Sequence, residues 1–213
     1  MPDVLREVLE TGLVAIIRAP SSDQLVEVTK AIHAGGIRVI EVTMTVPNAL
    51  DIIAEIHREL GDLIILGAGS VIDSETARAA MLAGAEFIVS PVVKADVIQC
   101  CKRYGKVVMP GALTPTEILT AWEAGADVVK VFPGNLGGPE YLKAVKAPLP
   151  QIRLMPTGGV NLETLDSFMS AGACAVGLGS SLVTKEILAS GDMKQLTELS
   201  AQYVAAMKAI KAS

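Results

Sequence analysis

The sequence predicts an α/β fold, a single (β/α)8 barrel domain over residues 1–213 with one extra helix at each end. Three observations carry that expectation. A helical stretch ending in Ala-Gly-Gly or Ala-Gly-Ala recurs at Ala34-Gly35-Gly36, Ala83-Gly84-Ala85, Ala124-Gly125-Ala126 and Ala171-Gly172-Ala173, each time with a β-branched run behind it. Glycine ends a helix there because it accepts the left-handed backbone. The marks lie a little over 40 residues apart, room for two strand–helix units each, and a fixed period of that size signals a repeat architecture. Filling the intervals gives eight strands alternating with helices and none left over, which favours a closed barrel over an open doubly wound sheet.

In chain order, Pro2–Thr11 is an amphipathic helix with Val4, Leu5, Val8 and Leu9 on one face, suited to cover the bottom of a barrel. The strands are Leu13–Arg18, Ile37–Thr43, Leu63–Ala68, Glu86–Ser90, Lys106–Met109, Asp127–Phe132, Ile152–Met155 and Cys174–Leu178. Helices fall near residues 23–34, 48–60, 74–83, 94–103, 115–124, 139–146, 161–170 and 184–190. Ser22, Asp73, Thr114-Pro115 and Asn161 are suited to open four of them as N-caps or an N1 proline. Pro91, Pro110, Pro133 and Pro156 fall just past four strands, where a residue without N–H ends the ladder. The tail repeats Leu196, Leu199, Tyr203, Met207 and Ile210 at steps of three and four, an ordinary packing helix.

Composition bounds the function. Apolar residues make up 51% of the chain and aromatics 3%, so the core is aliphatic. The net charge of −5 offers no basic stripe for nucleic acid or an anionic membrane. Cys100, Cys101 and Cys174 form no CxxC pair and read as small buried residues of a reducing compartment. The N-terminus lacks the pattern of a secretory signal, and no uncharged apolar run reaches the roughly 18 residues a membrane helix needs. A cytoplasmic protein is expected.

Within the strands, charge marks the chemistry. Arg38, Glu86, Lys106, Asp127 and Arg153 sit at strand starts, at the bottom rim, where solvation is expected. Arg18, Glu41 and Lys130 sit late in the first, second and sixth strands, toward the end where barrels carry their sites. Val39, Glu41 and Thr43 share one strand face, as do Val128, Lys130 and Phe132. A lysine inside a β-branched strand is costly to bury charged, and one that releases its proton is a nucleophilic amine able to form a Schiff base. The competing reading is a structural lysine within a buried ion-pair network. Gly67-Ala68-Gly69-Ser70 follows the third strand, Thr157-Gly158-Gly159 the seventh, and Gly177-Leu178-Gly179-Ser180-Ser181 the eighth. The last two loops, with Gly158, Gly159, Gly179 and Ser180, occupy the positions where this fold cradles phosphate. His33 and His57 lie in helical stretches, no His/Asp/Glu cluster has ligand spacing, and neither a Ser-His-Asp set nor a Rossmann glycine fingerprint is present.

The runs Gly36-Ile37-Arg38-Val39-Ile40-Glu41-Val42-Thr43, Gly67-Ala68-Gly69-Ser70-Val71, Val129-Lys130-Val131-Phe132-Pro133 and Pro156-Thr157-Gly158-Gly159-Val160, in that order, resemble the 2-keto-3-deoxy-6-phosphogluconate aldolases, including members that also act on 4-hydroxy-2-oxoglutarate. The resemblance implies a class I aldolase on a (β/α)8 barrel, a homotrimer without metal or cofactor, whose partners are a keto-deoxy sugar acid phosphate and pyruvate. It puts the Schiff-base lysine on Lys130, the acid/base glutamate on Glu41, and substrate contacts on Ser70, where threonine is more usual, and on Thr157. Where well-known members carry an arginine four residues after the glutamate, this chain has Thr45, and Arg18 is the candidate replacement. A 2-dehydro-3-deoxy-6-phosphogalactonate aldolase, a phosphate-binding barrel isomerase or epimerase without a covalent intermediate, and a noncatalytic scaffold are the alternatives.

Overall fold

A computed structural model describes residues 3–19 and 24–212. The order is α1 (Asp3–Thr11), β1 (Leu13–Ile17), α2 (Leu25–Ala34), β2 (Val39–Thr43), α3 (Ala49–Leu60), β3 (Ile65–Gly69), α4 (Ser74–Leu82), β4 (Phe87–Val89), α5 (Ala95–Arg103), β5 (Val107–Met109), β6 (Gly111–Ala112), α6 (Pro115–Glu123), β7 (Val129–Val131), a 3-10 turn (Gly134–Leu136), α7 (Gly138–Lys146), β8 (Leu154–Pro156), α8 (Leu165–Ser170), β9 (Val176–Leu178), α9 (Lys185–Ser190) and α10 (Met193–Ala212). Every strand pairing is parallel. One sheet runs β5-β4-β3-β2-β1-β9 and a second runs β6-β7-β8, and a single parallel bridge joins Thr157 to Gly177. The fifth expected strand is β5, and β6, which was not expected, follows it after Pro110, so the expected sixth strand is β7.

The two-residue period of the strands sorts their side chains into two cores. Leu13, Ala15, Ile17, Ile40, Val42, Ile88, Val129 and Val131 pack with the inner faces of α2 to α10. The opposite face carries Val14, Val39, Phe87, Val89, Val107, Met109, Val128 and Met155, and α1 lays Leu5 and Val8 against it, with Val4 and Leu9 at the margin. The helix expected to cover the bottom of a barrel packs against this strand face. The expected N-terminal Pro2 of that helix lies outside the described residues, as does Ser22; α2 is preceded instead by Gln24, which makes no side-chain cap bond.

Asp73 caps α4 by accepting the Thr76 N–H, and Thr114 with Glu117 forms a capping box on α6. The expected helix over 161–170 is shorter and begins at Leu165. Asn161 does not cap it: its side-chain oxygen accepts the N–H groups of Glu163 and Thr164, closing a turn ahead of the helix. Asp127 is a second correction. It is not solvated but 8% exposed, and its carboxylate accepts from Lys102 Nζ at 2.7 Å and from the Val108 N–H at 2.9 Å. Its backbone carbonyl takes Arg153 Nε, whose guanidinium lies over the Trp122 ring. Asp127 lies beside β5, its own N–H donating to the Val108 carbonyl at 3.0 Å, so the carboxylate is enclosed and paired. Among the described residues no helix is long and apolar enough to cross a membrane.

Candidate active site

Lys130 stands at the centre of β7, two residues beyond Val128 on the same strand face, and is 6% exposed. Its Nζ lies 5.0 Å from the ring centroid of Phe132, the next residue on that face. No ion pair or hydrogen bond engages it among the described residues. Glu41, at the centre of β2, is 0% exposed, and neither carboxyl oxygen has a hydrogen-bond partner among the described residues. Burial raises its carboxyl above the ordinary carboxylate range, against the opposing pull of the Lys130 and Arg18 charges.

The neighbouring strand makes room for that carboxyl. Glu41 pairs in register with Gly67 and Thr43 with Gly69. A Cβ on Gly69 would overlap Glu41 Oε1, and one on Gly67 would overlap the Phe87 ring. Glycine inside this strand is therefore a matter of close approach. Ser70 follows at φ 58°, a left-handed backbone that is unusual for serine and marks a strained position at the strand end.

A cavity of about 720 Å³ opens over these strand ends. It gathers Arg18, Thr45, Lys130, Thr157, Gly158, Gly159, Gly179 and Ser180 on one wall system. Glu41 and Ser70 are not part of its lining: Glu41 is enclosed between strands, and Ser70 lies beyond β3. Thr157 is 7% exposed with no hydrogen-bond partner for Oγ1 among the described residues. Thr45 is satisfied differently, its hydroxyl 2.9 Å from that of Thr43. Arg18 is exposed just past β1.

Gly158 and Gly159 adopt φ 96° and 77°, consecutive positive values that side chains rarely reach. The loop is tied by Thr164 Oγ1 donating to the Gly159 carbonyl at 2.8 Å and by the Gly134 N–H donating to the Thr157 carbonyl at 2.7 Å. Gly179 accepts the N–H groups of Leu182 and Val183, while no atom lies within 4 Å of where its Cβ would stand. Such loops leave backbone N–H groups free to meet an anion.

Phe132, Gly69 and Lys185 were not singled out by sequence reasoning. Phe132 had a signal, since it follows the lysine by one strand period. Gly69 was read as part of the glycine run at the end of the third strand, whereas the structure puts it inside β3. Lys185, at the start of α9, reads from sequence as a solvated helix end, yet it lines the cavity. Among the described residues no group of three His, Cys, Asp or Glu side chains could hold a metal ion. The arrangement combines an amine against an aromatic face, an enclosed carboxyl whose proton is held more tightly than usual, and a free hydroxyl. Those groups can form a carbinolamine with a carbonyl and move protons around it.

Comparison with known proteins agrees with that chemistry. The family model described as Aldolase: KDPG and KHG aldolase matches residues 4–199. A 2-dehydro-3-deoxy-phosphogluconate aldolase of Treponema pallidum is 36% identical over 191 residues, covering 89% of this chain and 90% of the relative. A 2-dehydro-3-deoxy-6-phosphogalactonate aldolase of Escherichia coli is 37% identical over 171 residues, 80% and 83% of the two chains. The crystal structure of KDPG aldolase from Legionella pneumophila, with pyruvate captured as a covalent carbinolamine, superposes with a TM-score of 0.86 at 26% identity over 92% of this chain and 96% of that one.

Proposed function

The chain belongs to the KDPG and KHG aldolase family, and from that premise we propose that it cleaves 2-dehydro-3-deoxy-6-phosphogluconate to pyruvate and glyceraldehyde 3-phosphate through a Schiff base on Lys130. The observation that carries the reading is Lys130 itself, almost enclosed, facing the cavity, with an aromatic ring at 5.0 Å and no ion pair to a carboxylate among the described residues. A lysine kept for structure would be paired, since an unpaired buried charge is costly.

Lys130 attacks the C2 keto carbon as the free amine. Glu41 in its acid form gives its proton to the departing hydroxyl of the carbinolamine, leaving an iminium and a carboxylate. That carboxylate then takes the C4 hydroxyl proton as the C3–C4 bond breaks and its electron pair moves into the enamine. Protonation of the enamine and hydrolysis release pyruvate. A carboxyl with a raised pKa serves both halves of this cycle, being a usable acid first and a stronger base second. Ser70, with Arg18 or Thr45, holds the substrate carboxylate, Thr157 a substrate hydroxyl, and Gly158, Gly159, Gly179 and Ser180 the phosphate. The two sheets form one eight-stranded barrel in this reading, which the Thr157–Gly177 bridge and the single residue between β5 and β6 support. A homotrimer follows from the family resemblance, and the cysteine usage and the strand–helix repeat support a cytoplasmic protein with a single barrel domain in each chain.

A second reading keeps the mechanism and changes the sugar epimer: the galactonate aldolase of Escherichia coli stands at 37% identity beside 36% for the gluconate enzyme. Borohydride reduction with pyruvate, followed by peptide mass mapping, tests the shared chemistry. Label on Lys130 is expected; no label, or label on exposed lysines alone, removes the Schiff base and favours an isomerase. Comparing kcat/KM for the two C4 epimers, and for 4-hydroxy-2-oxoglutarate, then assigns the substrate.

A further inference from the structure

We infer that Lys185 reads the distal anion of the substrate, and that its ammonium sets the preference for phosphorylated over unphosphorylated keto acids. The inference rests on the aldolase reading and concerns the same cavity. The chain as a whole carries more acids than bases, 23 against 18. The cavity inverts that balance: its lining holds Arg18, Lys130 and Lys185 and no aspartate or glutamate. Two of those cations belong to the reacting end. Lys130 carries the covalent chemistry, and Arg18 acts on Glu41. Lys185 stands apart from them, four residues beyond Ser181 along the segment that begins at Gly179.

That segment is a built unit. The Gly179 carbonyl takes two N–H groups at 3.0 Å each, and Thr184 turns its hydroxyl to accept the Ile187 N–H at 3.2 Å, which fixes the residue before Lys185. Lys106, Lys143 and Lys208 are, like Lys185, without a side-chain hydrogen bond or ion pair among the described residues, but they do not line this cavity. Lys30, Lys94, Lys102 and Lys194 are paired with carboxylates, and Lys146 and Lys211 with backbone carbonyls. Lys185 has no such bond among the described residues; its sequence neighbour Glu186 is held by Thr184 and its own helix start. The glycine loops offer neutral N–H groups alone. A phosphate dianion seated on them lacks a cation, and Lys185 is the lining cation that follows Gly179 and Ser180 along the chain. A flexible ammonium near solvent acts over a distance and is screened by salt.

The test measures kcat/KM for 2-dehydro-3-deoxy-6-phosphogluconate and for 4-hydroxy-2-oxoglutarate in the wild type, in Lys185→Gln and in Lys194→Gln, an equal charge change at an exposed residue that does not line the cavity. The expected result is a fall of about two- to fivefold in the phosphorylated-to-unphosphorylated ratio in Lys185→Gln, mostly through KM, as loss of one exposed charge contact implies. The salt dependence of the phosphorylated reaction should flatten with it, Lys185→Arg should restore both, and Lys194→Gln should leave the ratio where it was. A wild-type preference that Lys185→Gln leaves intact overturns the inference and spares the aldolase reading. A wild type that captures pyruvate on Lys130 but shows no preference overturns the phosphate site and this inference together.

Discussion

Two levels of one strand face differ by a single strand period. At the lower level Val39, Val128 and Met155 pack with Phe87, Val107 and the α1 residues Leu5 and Val8. One period higher on the same strands stand Glu41, Lys130 and Thr157. The charges at the strand starts, one residue before Val128 and Val39 and so on the other face, are paired: Asp127 with Lys102 and the Val108 N–H, Arg38 with Glu7 at 2.9 Å. The upper level leaves both Glu41 oxygens and Thr157 Oγ1 without hydrogen bonds among the described residues. An unmade buried hydrogen bond costs about 1–3 kcal/mol, so the upper level is held against its own stability. Glu41 and Thr157 are left unsatisfied where we propose that a substrate binds; His33 Nδ1 on α2 is unsatisfied as well and lies outside the cavity lining.

Glu41→Gln is the strongest way to break this comparison. Turnover should fall by about 10²–10⁴-fold if the carboxyl is the acid/base. Stability should move the other way. Because burial raises the folded-state pKa, the native protein holds this proton more tightly than the unfolded chain does. Stability is therefore lost as pH climbs from near the ordinary glutamate value of 4.5 through the raised native one. Glutamine avoids that loss, so the variant should melt higher than the wild type at pH 8, with the gap closing toward pH 4. Thermal melts at both values decide it. A variant that melts lower than the wild type at either pH would mean that Glu41 is a structural group.

Asp127→Ala probes the paired charges at the strand starts. Removing the carboxylate strands the Val108 N–H and frees Lys102, which is 44% exposed. The expected loss is about 2 kcal/mol, below the range for a fully enclosed pair because water reaches Lys102. Urea unfolding measures it, and kcat of the folded variant should match the wild type. Activity lost without any change in unfolding midpoint would place function at the strand starts too and erase the contrast.

Much of this arrangement was legible in the sequence. The strand period put Val39 and Glu41, and Val128 and Lys130, on shared faces, and the apolar stripe of residues 4, 5, 8 and 9 predicted the helix beneath them. Charges late in strands marked where Glu41 and Lys130 would stand, though their roles remain proposals for the experiments above. What was hidden depended on contacts across the chain. Asp127 looked like a rim charge because Lys102 lies 25 residues away on another element. Gly69 owes its place to Glu41 on the next strand, and a lone glycine within a strand carries no record of its neighbour. β6 was missed because Pro110 reads as a terminator and Gly111-Ala112 has little strand preference. Lys185 reaches the cavity only because its loop returns there.

Arg18→Lys carries the smallest expected effect and sharpens the comparison most finely, since it asks whether the exposed edge of the upper level binds or tunes. Arg18 lines the cavity, and its charge lowers the Glu41 pKa less than burial raises it and less than Lys130 lowers it. No ion pair joins the two side chains, because the Glu41 oxygens have no partner among the described residues. A through-space effect survives replacement by another cation. A planar, two-pronged grip on a carboxylate does not. If Arg18 contacts the carboxylate, Arg18→Lys should raise KM for pyruvate in the condensation direction by up to about tenfold, the loss of one charge-assisted hydrogen bond, with the acid limb of the kcat profile unmoved. Arg18→Gln, which removes the charge, should in addition shift that limb upward, because Glu41 then holds its proton more tightly. A lysine variant with unchanged pyruvate KM would remove Arg18 from carboxylate binding and leave Ser70, Thr45 and backbone amides to hold it. A glutamine variant with an unmoved limb would show that water at the cavity mouth already screens the charge, so that Lys130 alone sets the field at Glu41.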